Sequence, residues 1–136
     1  MGKPKLTIVK VGGRVVDQVA DREQLVASFA QIQGLKILVH GGGSQASVLC
    51  EKLAIPVKMY QGRRITDAAT MEVVTMVYAG LINKTLVAEL QAKGINALGL
   101  SGADLNSVRA EKRPVGKSCE RIVMGCVFDF VCRFLS

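Results

Sequence analysis

The chain has 136 residues, near the commonest size of a single domain, and 49% of them are apolar, enough to fill one core and far above the content of a disordered segment. Its formal net charge is +7, yet basic and acidic residues are mixed along most of the chain and the six aromatic residues do not alternate with basic ones, so no nucleic-acid surface is expected. Lys10 and Arg14 interrupt the first apolar stretch, and no uninterrupted apolar run reaches the length of a membrane span. A cytoplasmic protein with no membrane segment is expected.

Residues 6–11 are short, β-branched and followed by Gly12-Gly13, which predicts a buried strand and a tight turn. Asp21, with Gln24 three residues later, predicts a capped helix start. Leu25, Phe29 and Ile32 line one face of that helix, and Gly34 stops it. Residues 36–40 predict a second buried strand. Residues 41–44 turn the chain into a helix ending near Leu53, before Pro56. Residues 57–65 predict a small hairpin. Thr66 is the expected cap of the next helix, with Asp67 in its first turn.

That helical pattern runs to Lys93, with a break expected near Gly80. Met71, Val74, Tyr78, Ile82, Leu86 and Leu90 form its apolar stripe, which reads as core. Residues 96–100 predict a third strand ending in Ser101-Gly102-Ala103-Asp104, and 107–112 a fourth. Strands alternating with helices predict an α/β fold: a three-layer αβα sandwich with a mostly parallel sheet. Glycines follow three of these strands, at the end where such sheets bind ligands.

His40-Gly41-Gly42-Gly43-Ser44 carries more glycine than a turn needs. Bare backbone at a helix start presents N–H groups to a phosphate or carboxylate. Lys10 lies two residues before Gly12-Gly13, where its flexible point charge suits a phosphoryl group moving between two oxygens. Taken alone it reads more readily as a strand-end lysine reaching solvent. Arg63 and Arg64 follow the hairpin turn, and an arginine fork can grip a carboxylate. His40, the one histidine, reads as a structural ring beside the loop.

Known phosphate motifs do not account for these loops. G-x-G-x-x-G follows neither strand, and Gly116-Lys117-Ser118 has Glu111 where a P-loop needs glycine. Cys50 stands alone, while Cys119, Cys126 and Cys132 share the last twenty residues with Phe128, Phe130 and Phe134 and form no C-x-x-C pattern.

The loops together resemble the amino-acid kinase family. The matching segments are Ile8-Val9-Lys10-Val11-Gly12-Gly13, Leu38-Val39-His40-Gly41-Gly42-Gly43, and Gly62-Arg63-Arg64-Ile65-Thr66-Asp67. Ala79-Gly80-Leu81-Ile82-Asn83-Lys84, Gly99-Leu100-Ser101-Gly102-Ala103-Asp104 and Lys112-Arg113-Pro114 follow in the family's order. The likeness is to the branch that acts on acylglutamates. It implies transfer of the ATP γ-phosphoryl group, with Mg2+, to the side-chain carboxylate of N-acetyl-L-glutamate in arginine biosynthesis. By the same resemblance Lys10 would stabilise the migrating phosphoryl group, Gly12 and Gly13 would bind phosphate, and Gly42, Gly43 and Arg64 would bind substrate. Residues 67–93 would be a homodimer contact.

The resemblance covers about residues 5–116, and residues 1–116 would form an acylglutamate-binding lobe. The family's ATP-binding half has no counterpart, and residues 117–136 form a divergent Cys- and Phe-rich tail, expected from a shifted reading frame or a truncated gene. The isolated chain is therefore expected to be inactive. A non-catalytic acylglutamate-binding or dimerising module, and N-succinyl-glutamate as the substrate, remain the alternatives.

Overall fold

The computed structural model describes residues 5–60, 63–108 and 129–133. Leu6–Lys10 forms β1 and Leu35–His40 forms β2, paired in parallel with Ile8 opposite Ile37. Between them lie α1 (Gly13–Asp17) and α2 (Val19–Gln31). Helix α3 (Gly43–Lys52) leads to an antiparallel hairpin of β3 (Lys58–Tyr60) and β4 (Arg63–Ile65). Next come α4 (Ala68–Thr75), a π-helical turn (Met76–Ile82) and α5 (Asn83–Ala92). Strand β5 (Ala97–Leu100) and a short 3-10 turn (Asp104–Asn106) follow. Strand β6 (Asp129–Arg133) lies between β2 and β5, antiparallel to both. Three of the four strands thus share one direction, and the mixed α/β architecture is the one expected.

Local chemistry explains several departures from the predicted boundaries. The second helix starts at Val19 rather than Asp21, and no side chain caps it, so the Asp21–Gln24 capping pair does not form. Asp67, not Thr66, is the N-cap of α4: its carboxylate accepts the Thr70 amide at 2.9 Å. That bond holds the Asp67 carboxyl below its ordinary value. Gly34 and Gly94 adopt φ of +79° and +76°, the left-handed conformation that lets a chain leave a helix without a Cβ clash. Gly80 does not break its helix; the α pattern instead widens into the π turn. Ser107 and Val108 are not in a strand, and the rest of the predicted fourth strand lies outside the described residues. Within the tail expected to diverge, residues 129–133 join the sheet.

Residues 68–92 are long and apolar enough in composition to cross a bilayer, which a search for unbroken apolar runs does not reveal. Val73, Val77, Ile82, Leu86 and Leu90 of this segment are buried in the core instead. They meet Phe29 and Val26 of α2, Ala46 and Cys50 of α3, and Leu38 of β2. Burial of such side chains contributes roughly 1.5–3 kcal/mol each.

A buried lysine also holds this core. Lys36 projects from β2 onto the helical face and is 1% exposed. Its Nζ donates to the carbonyls of Phe29, Ala30 and Ile32 at 2.7, 3.0 and 2.8 Å, and lies 5.0 Å from the Phe29 ring centroid. Those carbonyls belong to the end of α2, where they lack helical partners and where the dipole favours a cation. Lys36→Met is expected to lower the unfolding free energy by about 3 kcal/mol in urea titration, because several buried carbonyls lose their donor together.

The described helices pack on the sheet face that carries Lys36, Leu38 and His40. The described helices leave the opposite face, which carries Leu6, Ile8 and Leu98, uncovered: these side chains are 48%, 62% and 42% exposed. A contiguous apolar face of this kind favours self-association. Size-exclusion chromatography should show concentration-dependent oligomers, reduced in Ile8→Lys with no loss of thermal stability.

Candidate anion site

The two glycine-rich strand ends lie against each other. A Cβ built on Gly13 would stand 3.2 Å from the Gly42 nitrogen and 3.3 Å from the Gly43 nitrogen, so the loops meet backbone to backbone. Val11 continues the β1 ladder with a 2.8 Å bond to the Val39 carbonyl, which keeps both loops at one edge of the sheet. Among the described residues, no backbone carbonyl takes the amides of Gly12, Gly13, Gly42 or Gly43. Helix α3 starts here without a side-chain cap, so its free N–H groups and positive dipole end face the loops.

Each glycine has its own reason. Gly42 is packed shut: a side chain there would collide with Ile82 Cδ1 and stand 3.1 Å from the Tyr78 ring. Gly12 is the opposite case. Its φ is −74°, which any residue adopts, and a Cβ would meet nothing within 4 Å. Neither conformation nor packing among the described residues requires glycine there.

Arg64 reaches this edge from β4. Its Nη2 donates to the Gly43 carbonyl at 2.7 Å and to Ser47 Oγ at 2.5 Å, while Nε is buried without a partner among the described residues. One arm of the fork is therefore committed to the glycine loop. The Ser44 hydroxyl donates to Asp17 Oδ2, tying the start of α3 to the end of α1. Lys10 ends β1 with an exposed side chain and no hydrogen bond or ion pair among the described residues. It adjoins the loops through chain adjacency alone.

The third strand end differs. Asp104 Oδ2 accepts the Ser101 amide at 2.6 Å and the Ser101 hydroxyl at 2.9 Å, so this turn satisfies itself. Behind it, Asn83 Nδ2 donates to the Leu100 carbonyl at 3.3 Å and Lys84 Nζ to the Gly99 carbonyl at 3.0 Å. A Cβ on Gly99 would collide with Asn83 Oδ1.

The sequence model of the Amino acid kinase family matches residues 5–125. The chain belongs to the amino-acid kinase family. It is 59% identical over 113 residues to the acetylglutamate kinase of Phocaeicola vulgatus, covering 83% of this chain and 44% of that protein. To the acetylglutamate kinase of Azobacteroides pseudotrichonymphae it is 43% identical over 132 residues, covering 97% of this chain and 51% of that one. A solved structure, smu.665 from Streptococcus mutans UA159, superposes with a TM-score of 0.55 at 27% identity, over 66% of this chain and 37% of that chain. The chain thus spans about half the length, or less, of the curated relatives it matches.

Of the residues expected to form an amino-acid kinase site, Gly13, Gly42, Gly43 and Arg64 are brought into one cluster, with Gly12 open beside them. Ser47, Tyr78 and the Ser44–Asp17 pair were not anticipated. Their partners lie 17 or more positions away in sequence or on another element, so no local spacing announces them.

His40 is buried at the base of the second loop. Its Nδ1 lies 3.3 Å from the Gly41 carbonyl, and Nε2 has no partner among the described residues. Burial holds its pKa below the ordinary 6.5, with the Gly41 contact opposing the shift. The folded state therefore binds the proton less well than the unfolded one. The resulting stability is present above pH 6.5 and is lost as pH falls through the folded pKa. Thermal unfolding should show a melting temperature that drops from pH 7 to pH 5, with a shallower drop in His40→Gln.

Proposed function

We propose that this chain is the acylglutamate- and phosphoryl-binding part of an acetylglutamate kinase. The observation that carries the reading is the cluster of unbonded glycine amides, with Gly12 open to approach and the Arg64 Nε buried beside them. The names and identities of the relatives support the same assignment.

Gly42 and Gly43 amides, together with Arg64 Nε, hold substrate carboxylate oxygens. Hydrogen bonds from N–H groups to a carboxylate are charge-assisted and roughly twice as strong as neutral ones. Gly12 and Gly13 receive the phosphoryl oxygens, since the absent Cβ at Gly12 lets an oxyanion reach the backbone. Lys10 supplies positive charge to that oxyanion as it passes between donor and acceptor. ATP provides the phosphoryl group: its γ-phosphorus bonds to the substrate's side-chain carboxylate oxygen as the bond to the bridging oxygen of ADP breaks. No group of three His, Cys, Asp or Glu side chains gathers among the described residues, so we assign the chain no ligand for Mg2+ and derive no step through it.

The ATP-binding half belongs to the remaining length of the relatives, and the chain alone is inactive. Exposed Met76 and Leu81 on the 68–92 helix suit the homodimer contact. A cytoplasmic location follows from the biosynthetic role. N-succinyl-glutamate carries the same two carboxylates and stays the alternative substrate.

Titration calorimetry should detect N-acetyl-L-glutamate binding that weakens at least about tenfold in Arg64→Ala, from loss of a buried charge-assisted donor. Gly12→Ala should melt within a degree or so of wild type, since its Cβ meets nothing, while phosphate binding falls. Mixed with the C-terminal half of the Phocaeicola vulgatus enzyme, the chain should yield an acylphosphate trapped by hydroxylamine, and Lys10→Ala should abolish it. Absence of any acylglutamate binding would overturn the assignment. Binding with no turnover in the mixture would favour a non-catalytic module.

A further inference from the structure

The long helix of residues 68–92 is α-helical except for the π turn Met76–Ile82. Such turns are rare, appear mostly as single-turn bulges inside α-helices and are frequent at functional sites. Here Tyr78 and Ile82 both strike the second glycine loop. A Cβ built on Gly42 would collide with Ile82 Cδ1 and stand 3.1 Å from Tyr78 Cδ1 and Cε1, and one built on Gly43 would stand 3.6 Å from the Tyr78 hydroxyl oxygen. On the loop's other flank Arg64 holds the Gly43 carbonyl.

Three consecutive glycines are the most permissive backbone a chain can carry. These also lack a capping side chain and backbone bonds from their amides to the described residues. The Gly42 carbonyl accepts the Ala46 amide at 3.1 Å, which ties the loop to α3, and the direction of its N–H groups depends further on what packs against it. Ile82 is 3% exposed and its role in the core is already accounted for. Tyr78 is half-buried at the core's margin, with its ring edge on Gly42 and its hydroxyl toward Gly43.

We propose that Tyr78 is a positioning residue. Its ring, seated by the π turn, fixes the direction of the Gly42 and Gly43 amides and through them the affinity for the acylglutamate carboxylate. The affinity part rests on the function proposed above; the loop part does not. Ring atoms Cδ1 and Cε1 border the space a Gly42 side chain would fill, so the ring is the part that backs the loop.

The test is amide 15N relaxation of the full chain, with calorimetric titration of N-acetyl-L-glutamate in parallel. Gly42 and Gly43 should have order parameters of about 0.85 in wild type and Tyr78→Phe, falling below about 0.6 in Tyr78→Ala. Tyr78→Val, which keeps an apolar side chain at the core's margin but is too short to reach the loop, should behave as the alanine variant does. Acetylglutamate affinity should fall about tenfold in both short variants and stay within about twofold in Tyr78→Phe. Rigid Gly42 and Gly43 in a folded Tyr78→Val or Tyr78→Ala protein would overturn the proposal. Loosened glycines with no acetylglutamate binding by wild type would support the positioning role and overturn the substrate assignment instead.

Discussion

Everything in this site depends on two stretches of bare backbone touching. Gly13 rests on Gly42 and Gly43 at a separation that leaves little room for a side chain on Gly13. The contact is possible because β1 and β2 are adjacent and parallel, which brings both strand ends to one edge. It places unbonded N–H groups from two loops together. Water can satisfy such groups, and so can an anion, but an anion also gains the field of the α3 terminus. Parallel pairing therefore converts two separate turns into one electropositive cradle.

The surrounding elements brace that cradle. Arg64 crosses from the hairpin to the Gly43 carbonyl, and the hydroxyl of Ser44 links α3 to α1. The π turn presses Tyr78 and Ile82 on Gly42 from the core side. Lys36 anchors α2 to β2 deeper in the same face, where its charge meets three helix-end carbonyls. Each brace joins residues distant in sequence. A glycine loop has no side chains with which to hold itself, so its stiffness must come from such contacts.

One face of the sheet stands apart from this arrangement. Leu6, Ile8 and Leu98 are apolar and exposed, while Leu38 on the other face is fully buried. The pattern is that of a sheet covered on one side only by the described residues. The curated relatives extend well beyond the matched region.

Composition and spacing alone carried the α/β architecture, the order of most elements and the Gly-rich strand ends, because alternation of apolar residues and glycine at a turn are local properties. They also raised Lys10, Arg63, Arg64 and the glycines as candidates, among which the family resemblance chose. The N-cap at Asp67 in place of Thr66 escaped because two adjacent side chains can both serve, and only backbone geometry selects one. Lys36 read as one more position in a strand; its burial depends on the end of α2 arriving above it. Tyr78 read as core, since a helical stripe does not reveal a widened turn that aims a ring at a loop 36 positions earlier. Residue types thus set which groups could bind an anion. Packing between distant segments set which of them share one site, because that depends on strand order and helix register, which no local pattern encodes.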